Sequence, residues 1–265
     1  MTPLRPDTLR ARKFRMSRTV IALMLREMAT TYGRSPGGYL WAILEPAAAL
    51  ALLSVIFSLA FRSPGLGVNF PLFFATGYLP FAMFNEISNK MAASIRFSRP
   101  LLAYPSVTYL DALMARFLLI LLTDLMIAYI FFTGILVIYD TRTILSVPPI
   151  LLGFAMMAVL AAGVGVLNCY LFTAFPAWER AWQILTRPLF IVSCVLFVYD
   201  EMPEIARDIL WWNPLVHAIG EVRRGFYATY DAYYVSVTYV FAVGLGILLV
   251  GLLLLRRHHR ALIND

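Results

Sequence analysis

The sequence predicts an all-α membrane protein with six transmembrane helices, an N-terminal amphipathic interface helix and re-entrant helices before the last span. Of its 265 residues, 61% are apolar or aromatic and 14% are charged, whereas an ordinary soluble domain has roughly 45–50% and 25%. Several apolar runs also approach the roughly twenty residues that a helix needs to cross a bilayer. These observations exclude a soluble enzyme as the default interpretation.

Six apolar segments fit membrane helices, because a helix rises about 1.5 Å per residue and the hydrocarbon core is about 30 Å thick. We place the spans at about residues 40–61, 71–95, 109–138, 147–174, 181–199 and 233–255. Pro80, Pro148, Pro149 and Pro188 mark kinks or helix starts within them.

The orientation follows from the basic residues, which short cytoplasmic loops retain. They are concentrated before the first span and again after the last, at Arg256, Arg257 and Arg260. Both termini are therefore predicted to be cytoplasmic, together with the turns after the second and fourth spans. The net charge of +7 would also suit nucleic acid, but its clustering at the ends of the spans favours membrane orientation.

Two segments are neither plain spans nor plain loops. Residues 9–30 alternate arginine with apolar side chains, which is typical of an amphipathic helix on the inner membrane surface; a basic tail is the alternative, and the one we favour for residues 1–8. We divide the chain into an interface region, residues 1–38, and one transmembrane domain, residues 39–265. Within that domain, residues 200–232 are too polar to span and predict a re-entrant hairpin of short helices.

The sequence lacks a catalytic motif. Lys13 and Lys90 are its only lysines and neither follows a glycine-rich phosphate loop, and there is no H-E-x-x-H or G-x-S-x-G pattern. Cys169 and Cys194 lie inside apolar runs, where they behave as small hydrophobic residues. We therefore predict neither an enzyme nor a metal site in this chain.

Charged residues at membrane depth are costly and usually face protein or water. The candidates are Glu45, Glu86, Lys90, Asp111, Arg116, Asp124 and Arg187. Glu86 and Lys90 stand one helical turn apart, so they form either a structural ion pair or, with Asn85, Ser88 and Asn89, part of a polar path. Asp124 favours packing over proton coupling, because it is an isolated carboxylate.

Aromatic residues make up 14% of the chain, and many fall where helices meet the membrane interface. An interfacial belt explains most of them. An aromatic-lined path on which sugar rings stack is the alternative, and composition does not separate the two.

Several sequence blocks together resemble the permease of ABC-2 type exporters, and most closely its capsular polysaccharide branch. They are Arg26-Glu27, Thr31–Arg34, Gly38–Pro46, Phe70-Pro71, Gly77–Phe81, Ile87–Lys90, Gly163–Gly165, Phe175-Pro176, Arg187–Leu189 and Asn213–His217. The resemblance implies a homodimer in the bacterial inner membrane that moves a lipid-linked acidic polysaccharide, with two copies of a separate ATPase that bind ATP and magnesium. Periplasmic and outer-membrane export proteins and membrane lipids are further implied partners; nucleic acid is not.

The resemblance also implies roles for particular residues. A coupling helix that contacts the ATPase would contain Arg96, Phe97, Ser98, Arg99 and Leu102, and a second contact would contain Pro176, Trp178, Glu179 and Arg180. The substrate and its channel would meet Arg26, Tyr32, Arg34, Tyr39, Trp41, Glu45, Tyr78 and Phe84. The re-entrant exit region would contain Trp211, Trp212, Asn213 and Pro214.

Three other functions stay open on the sequence alone. An O-antigen or teichoic-acid exporter would share the architecture and differ in cargo. An ion-coupled secondary transporter would need no ATPase and would depend on a titrating carboxylate such as Asp124. A structural scaffold is the third, but polar groups inside the spans disfavour it.

Overall fold

A computed structural model describes residues 15–31, 37–102, 107–141 and 143–264, and the regular elements within them are helices. They are α1 (Arg15–Thr31), α2 (Gly38–Ala60), α3 (Phe70–Ala92), α4 (Ser94–Leu102), α5 (Tyr109–Ile138), α6 (Val147–Ala174), α7 (Pro176–Val192), α8 (Glu204–Leu210), α9 (Pro214–Phe226) and α10 (Val237–Asn264). A short 3-10 helix, Tyr199–Glu201, precedes α8. The all-α prediction is confirmed.

Four helices in the described part of the chain are long and apolar enough to cross a membrane. Their candidate spans are Leu40–Ala60, Tyr109–Ile138, Val147–Ala174 and Val237–His258, and they coincide with four of the six predicted segments. The other two segments also form helices, α3 and α7, which do not belong to this set: α3 carries polar residues in its second half, and α7 has only 17 residues.

The central helix is α3, which packs against α2, α5, α6 and α9. Its Leu72, Phe74, Met83 and Ile87 are fully buried in the main hydrophobic core. Because neighbouring helices shield α3, it needs less apolar surface than a helix that faces lipid, which explains why polar residues are tolerated in it.

A break at Ala93 separates α3 from α4 and ends the predicted second span three residues early. The carbonyl oxygen of Lys90, in the last turn of α3, accepts from the Ser94 hydroxyl at 3.3 Å. Helix ends leave carbonyl groups without helical partners, so this hydroxyl contributes a cap. The chain turns here into α4, a short amphipathic helix.

The fifth predicted span, residues 181–199, has the wrong boundaries. Its helix, α7, begins at Pro176, because proline is favoured in the first turn, where no amide donor is needed. It ends at Val192, and Cys194 two residues later has a left-handed φ of 59°. Residues 176–180, expected to be a turn, are therefore the first turn of a helix.

The last span packs on α6 with almost no space between the backbones. A Cβ atom at Gly163 would lie 2.5 Å from the Gly244 carbonyl oxygen, and one at Gly251 would lie 2.8 Å from the Leu167 amide nitrogen. Small residues allow this close approach in membrane helices. In contrast, Gly246 has open space beside it.

Residues 200–232 contain short helices, as predicted, and α8 and α9 follow one another around Asn213 and Pro214. The Asn213 side-chain oxygen caps α9 by accepting from the Leu215 amide at 3.1 Å. Its side-chain amide donates to the Val192 carbonyl at 3.2 Å and the Ser193 hydroxyl at 3.1 Å. One residue thus joins the start of α9 to the end of α7; that α8 and α9 form a re-entrant hairpin in the membrane stays a prediction.

Candidate functional site

A cavity of about 650 Å³ lies between α2, α3 and α5. Trp41 and Glu45 reach it from α2, Tyr78 and Glu86 from α3, and Asp124 from α5. Ligand cavities typically fall within roughly 300–1,000 Å³ and combine apolar walls with a few polar groups. The cavity is therefore large enough for a small ligand or one stretch of a chain-like substrate.

Four polar side chains in the cavity wall already have protein partners. Glu86 and Lys90 form an ion pair, one of the two alternatives that their spacing left open. The Asn89 amide donates to the Asn85 side-chain oxygen at 2.8 Å, and the Trp182 indole donates to the Asn89 side-chain oxygen at 3.1 Å. These bonds fix the polar face of α3 and attach α7 to it.

Asp124 differs from these groups. Its side chain is buried, with 9% exposure, yet it lines the cavity, and its Oδ2 accepts no hydrogen bond from the described residues. A buried carboxylate oxygen strongly favours a hydrogen-bond donor. The cavity thus offers an acceptor to a ligand hydroxyl or amide.

The charged residues in the cavity wall are mainly acidic. Glu45, Glu86 and Asp124 provide three carboxyl groups, and Lys90, already paired with Glu86, provides the ammonium group. The wall therefore has more capacity to accept hydrogen bonds than to bind anions. Trp41, with 62% of its surface exposed, adds an aromatic face.

The structure places the predicted channel residues in different environments. Trp41, Glu45 and Tyr78 line the cavity, while Phe84 is buried in the core behind it. Arg26 borders a small cleft between α1, α4 and α5. Tyr39 lies near the start of α2, and Tyr32 and Arg34 lie outside the described residues.

The two predicted ATPase-contact segments meet on one surface. Arg96 of α4 pairs with Glu179 of α7, with 2.8 Å between Nη2 and Oε2. Ser98 is buried, and Leu102 is the last residue of α4. The other predicted contacts in these two segments are exposed: Phe97, Arg99, Pro176 and Arg180. The Trp178 indole donates to the Asn168 side chain at 3.0 Å, which fixes α7 to α6.

A second ion pair beside α4 joins segments that sequence reasoning did not connect. Arg116 of α5 donates from Nε to the Glu27 carboxylate of α1 at 2.6 Å and from Nη1 to the Lys90 carbonyl at 2.9 Å. Its charge inside an apolar span was the available signal. Its partners lie 89 and 26 residues away, which no local pattern indicates.

The predicted exit residues form part of a compact aromatic cluster. Trp211 stacks on Tyr239, with 5.2 Å between ring centroids, and its indole donates to the Tyr234 carbonyl at 3.2 Å. Trp212 is 68% exposed, and Pro214 begins α9. One of the two tryptophans is thus structural, and the other faces outward.

His217 holds this cluster to α10. The Ser236 amide donates to Nδ1 at 3.1 Å, so Nε2 carries the proton and donates to the Trp211 carbonyl at 2.7 Å. Burial lowers the pKa of His217, while the bond to Trp211 opposes this shift. The neutral form is therefore the one that fits the site.

Long apolar helices, a polar cavity and an exposed amphipathic helix define the class as a polytopic membrane protein with features of a permease. The family model of the ABC-2 type transporter matches residues 18–227. The chain belongs to this family, which confirms the resemblance noted from the sequence.

Individual relatives cover nearly the whole chain. The polysialic acid transport protein KpsM of Escherichia coli is 31% identical over 93% of this chain and 96% of its own length. The capsule polysaccharide export inner-membrane protein BexB of Haemophilus influenzae is 28% identical over 90% of both chains. The corresponding protein CtrC of Neisseria meningitidis serogroup A is 27% identical over 91% of both. The chain is therefore similar to inner-membrane proteins of capsule export.

Proposed function

We propose that this chain is the transmembrane subunit of an ATP-driven exporter that moves a lipid-linked capsular polysaccharide across the bacterial inner membrane. The cavity between α2, α3 and α5 is the observation that carries the proposal, because it combines exposed Trp41 with the Asp124 Oδ2 atom, which accepts no hydrogen bond from the described residues. Aromatic faces and hydrogen-bond acceptors suit sugar rings and their hydroxyl groups. Membership of the ABC-2 family supplies the link to ATP.

The proposed assembly is a homodimer with two copies of a cytoplasmic ABC ATPase. Six helices would cross the membrane, α3 and α7 included, and both termini would be cytoplasmic. ATP and magnesium would bind to the partner ATPase, and periplasmic and outer-membrane proteins would carry the polymer onward. The surface formed by α4 and the start of α7 would contact the ATPase, supported by the Arg96–Glu179 pair that joins them.

The proposed mechanism has two steps. The lipid-linked end of the polymer meets the inner surface near α1, where Arg26 and Arg34 would bind phosphate or carboxylate groups in bidentate fashion. ATP-driven closure of the partner subunits then displaces α4 and shifts the permease between two states. The polymer advances past Trp41, Tyr78 and Asp124.

The first test is to purify the complex from its native membrane, measure its mass, and reconstitute it in vesicles. We expect two permease and two ATPase chains, and polymer transfer that requires ATP hydrolysis. Trp41→Ala should reduce transfer about tenfold, equivalent to about 1.4 kcal/mol of lost stacking, with hydrolysis retained. Tyr129→Ala is the matched control, because Tyr129 is an exposed aromatic residue of α5 outside the cavity.

Two results would contradict the proposal. Transfer that continues without any ATPase would indicate ion coupling and direct attention to Asp124. Equal transfer by the Trp41 and Tyr129 variants would remove the cavity from the polymer path. A transferred polymer other than capsule would retain the transport class and change the cargo.

A further inference from the structure

We propose that Arg116 is a positioning residue that makes the amphipathic helix α1 move together with the coupling helix α4. The inference rests on the proposed function, because it assigns α4 to contact with the ATPase. It concerns a residue outside the cavity wall and outside the predicted ATPase contacts.

One guanidinium group holds three elements at the junction between α3 and α4. Its Nε donates to Glu27 of α1 at 2.6 Å, and its Nη1 donates to the Lys90 carbonyl in the last turn of α3 at 2.9 Å. Its Cζ lies 4.3 Å from the ring centroid of Phe97 in α4. Arg116 itself belongs to α5, so four helices meet at this side chain.

The contact between Arg116 and Glu27 is costly to break because both side chains are largely buried. The Arg116 and Glu27 side chains are 7% and 14% exposed, and a buried charge that loses its partner is strongly destabilised. If α1 moved away alone, Arg116 would keep its charge without the carboxylate. The pair therefore favours arrangements in which α1 follows the helices that Arg116 contacts.

Through the Lys90 carbonyl, Arg116 also binds the chain next to the break between α3 and α4. This carbonyl belongs to the last turn of α3, where helical partners are missing, and cations are favoured near a helix C-terminus. Arg116 and the Ser94 hydroxyl both bind it. If α4 rotates about Ala93, the Phe97 ring moves relative to the Arg116 guanidinium, while the Lys90 carbonyl can stay bound to Arg116.

Geometry also suits an arginine better than a lysine here. The planar guanidinium presents several donors in fixed directions and can lie over an aromatic ring, whereas an ammonium is a compact point charge. Arg116 makes three kinds of contact at once: an ion pair, a hydrogen bond to a carbonyl and a contact with an aromatic ring.

The experiment measures polymer transferred per ATP hydrolysed by the reconstituted complex. Arg116→Met keeps the apolar stem and removes the charge; we expect this ratio to fall about tenfold, within the range of typical coupling free energies. ATP hydrolysis per assembled complex should stay within about twofold of wild type. Arg116→Lys should restore the ratio in part, because it retains the charge but not the fork.

Arg257→Met is the matched control, because it removes an exposed arginine near the end of α10 and should leave the ratio unchanged. The milder Glu27→Gln keeps a hydrogen-bond acceptor and should lower the ratio less than Arg116→Met. The exchanged pair Glu27→Arg with Arg116→Glu should recover part of the loss, since the attraction is restored.

Each outcome separates this inference from the proposed function. A wild-type complex that transfers no polymer with ATP contradicts the proposed function. A wild-type complex that transfers polymer, with an assembled Arg116→Met complex of unchanged ratio, contradicts only this inference. A parallel fall of transfer, hydrolysis and yield in both Arg116→Met and Glu27→Gln would assign the pair a structural role and also overturn it.

Discussion

The end around α4, predicted to be the inner end, and the end around α9, predicted to be the outer end, each bury an arginine, but the two are bound differently. At the inner end, Arg116 has a carboxylate partner on another helix. At the outer end, Arg223 donates to the backbone carbonyls of Phe197 at 2.6 Å and Val195 at 2.9 Å, and lies over the Phe73 ring.

The difference is in how easily the partners can change. A carboxylate on a side chain can change rotamer or move with its helix, whereas a backbone carbonyl moves only with the chain around it. Arg223 is also almost completely buried, with 1% exposure. We infer that the outer end is a fixed support and that the inner end contains the contacts that can rearrange.

The largest expected effect comes from the replacement of Arg223 at the outer end. Arg223→Met would leave two buried carbonyl groups without donors, so we expect a loss of about 3–5 kcal/mol in the free energy of unfolding. Thermal unfolding of the purified protein in detergent measures it. Arg62→Met, at an exposed position between α2 and α3, should change stability by less than about 0.5 kcal/mol. Similar losses in both variants would show that Arg223 does not support the outer end.

A second prediction concerns the packing of α9 on α6. A Cβ atom at Gly153 would lie 2.5 Å from the Val222 Cγ2 atom and 2.9 Å from the Ala218 carbonyl oxygen. Gly153→Ala should therefore destabilise the protein by about 1–3 kcal/mol in the same assay. Gly134→Ala has open space around it and should be neutral or stabilising by up to about 1 kcal/mol. A neutral Gly153→Ala would show that the outer support can shift to make room.

The smallest expected effect lies at the inner surface. Arg96 and Glu179 are 47% and 36% exposed, and exposed ion pairs contribute about 0–1 kcal/mol. A double-mutant cycle of Arg96→Ala and Glu179→Ala should give a coupling energy in that range, and lower at high salt. A coupling energy well above it would mean that α4 and α7 are as firmly joined as the outer end.

The apolar spans were predictable because each depends on local composition. The helices α5 and α6 have the predicted bounds, residues 109–138 and 147–174. The start of α5 is also encoded locally, since Thr108 and Asp111 form a capping box. Gly163 and Gly244 are also legible locally, since small residues in apolar helices allow the close backbone approach seen there.

Features that depend on distant contacts were not predictable. The break at Ala93 has no proline or glycine beside it to mark it in the sequence, and a side chain on α5 helps to cap it. The burial of Phe84 follows from the central position of α3, which its own sequence does not reveal. The cavity was predicted only in part. Trp41 and Tyr78 were expected to meet the substrate, whereas Asp124, on a third helix, was expected to pack against a neighbouring helix.

The charged residues in the cavity wall affect how fast a polymer would move along it. The charged residues that line the cavity include one ammonium group, Lys90, which is paired with Glu86, so an anionic polymer passing this wall would meet no deep electrostatic well. Weak contacts would let a long chain slide, whereas one strong site would stall it. The cavity wall would therefore guide the polymer with little resistance, and the force that moves the polymer would come from the ATPase subunits.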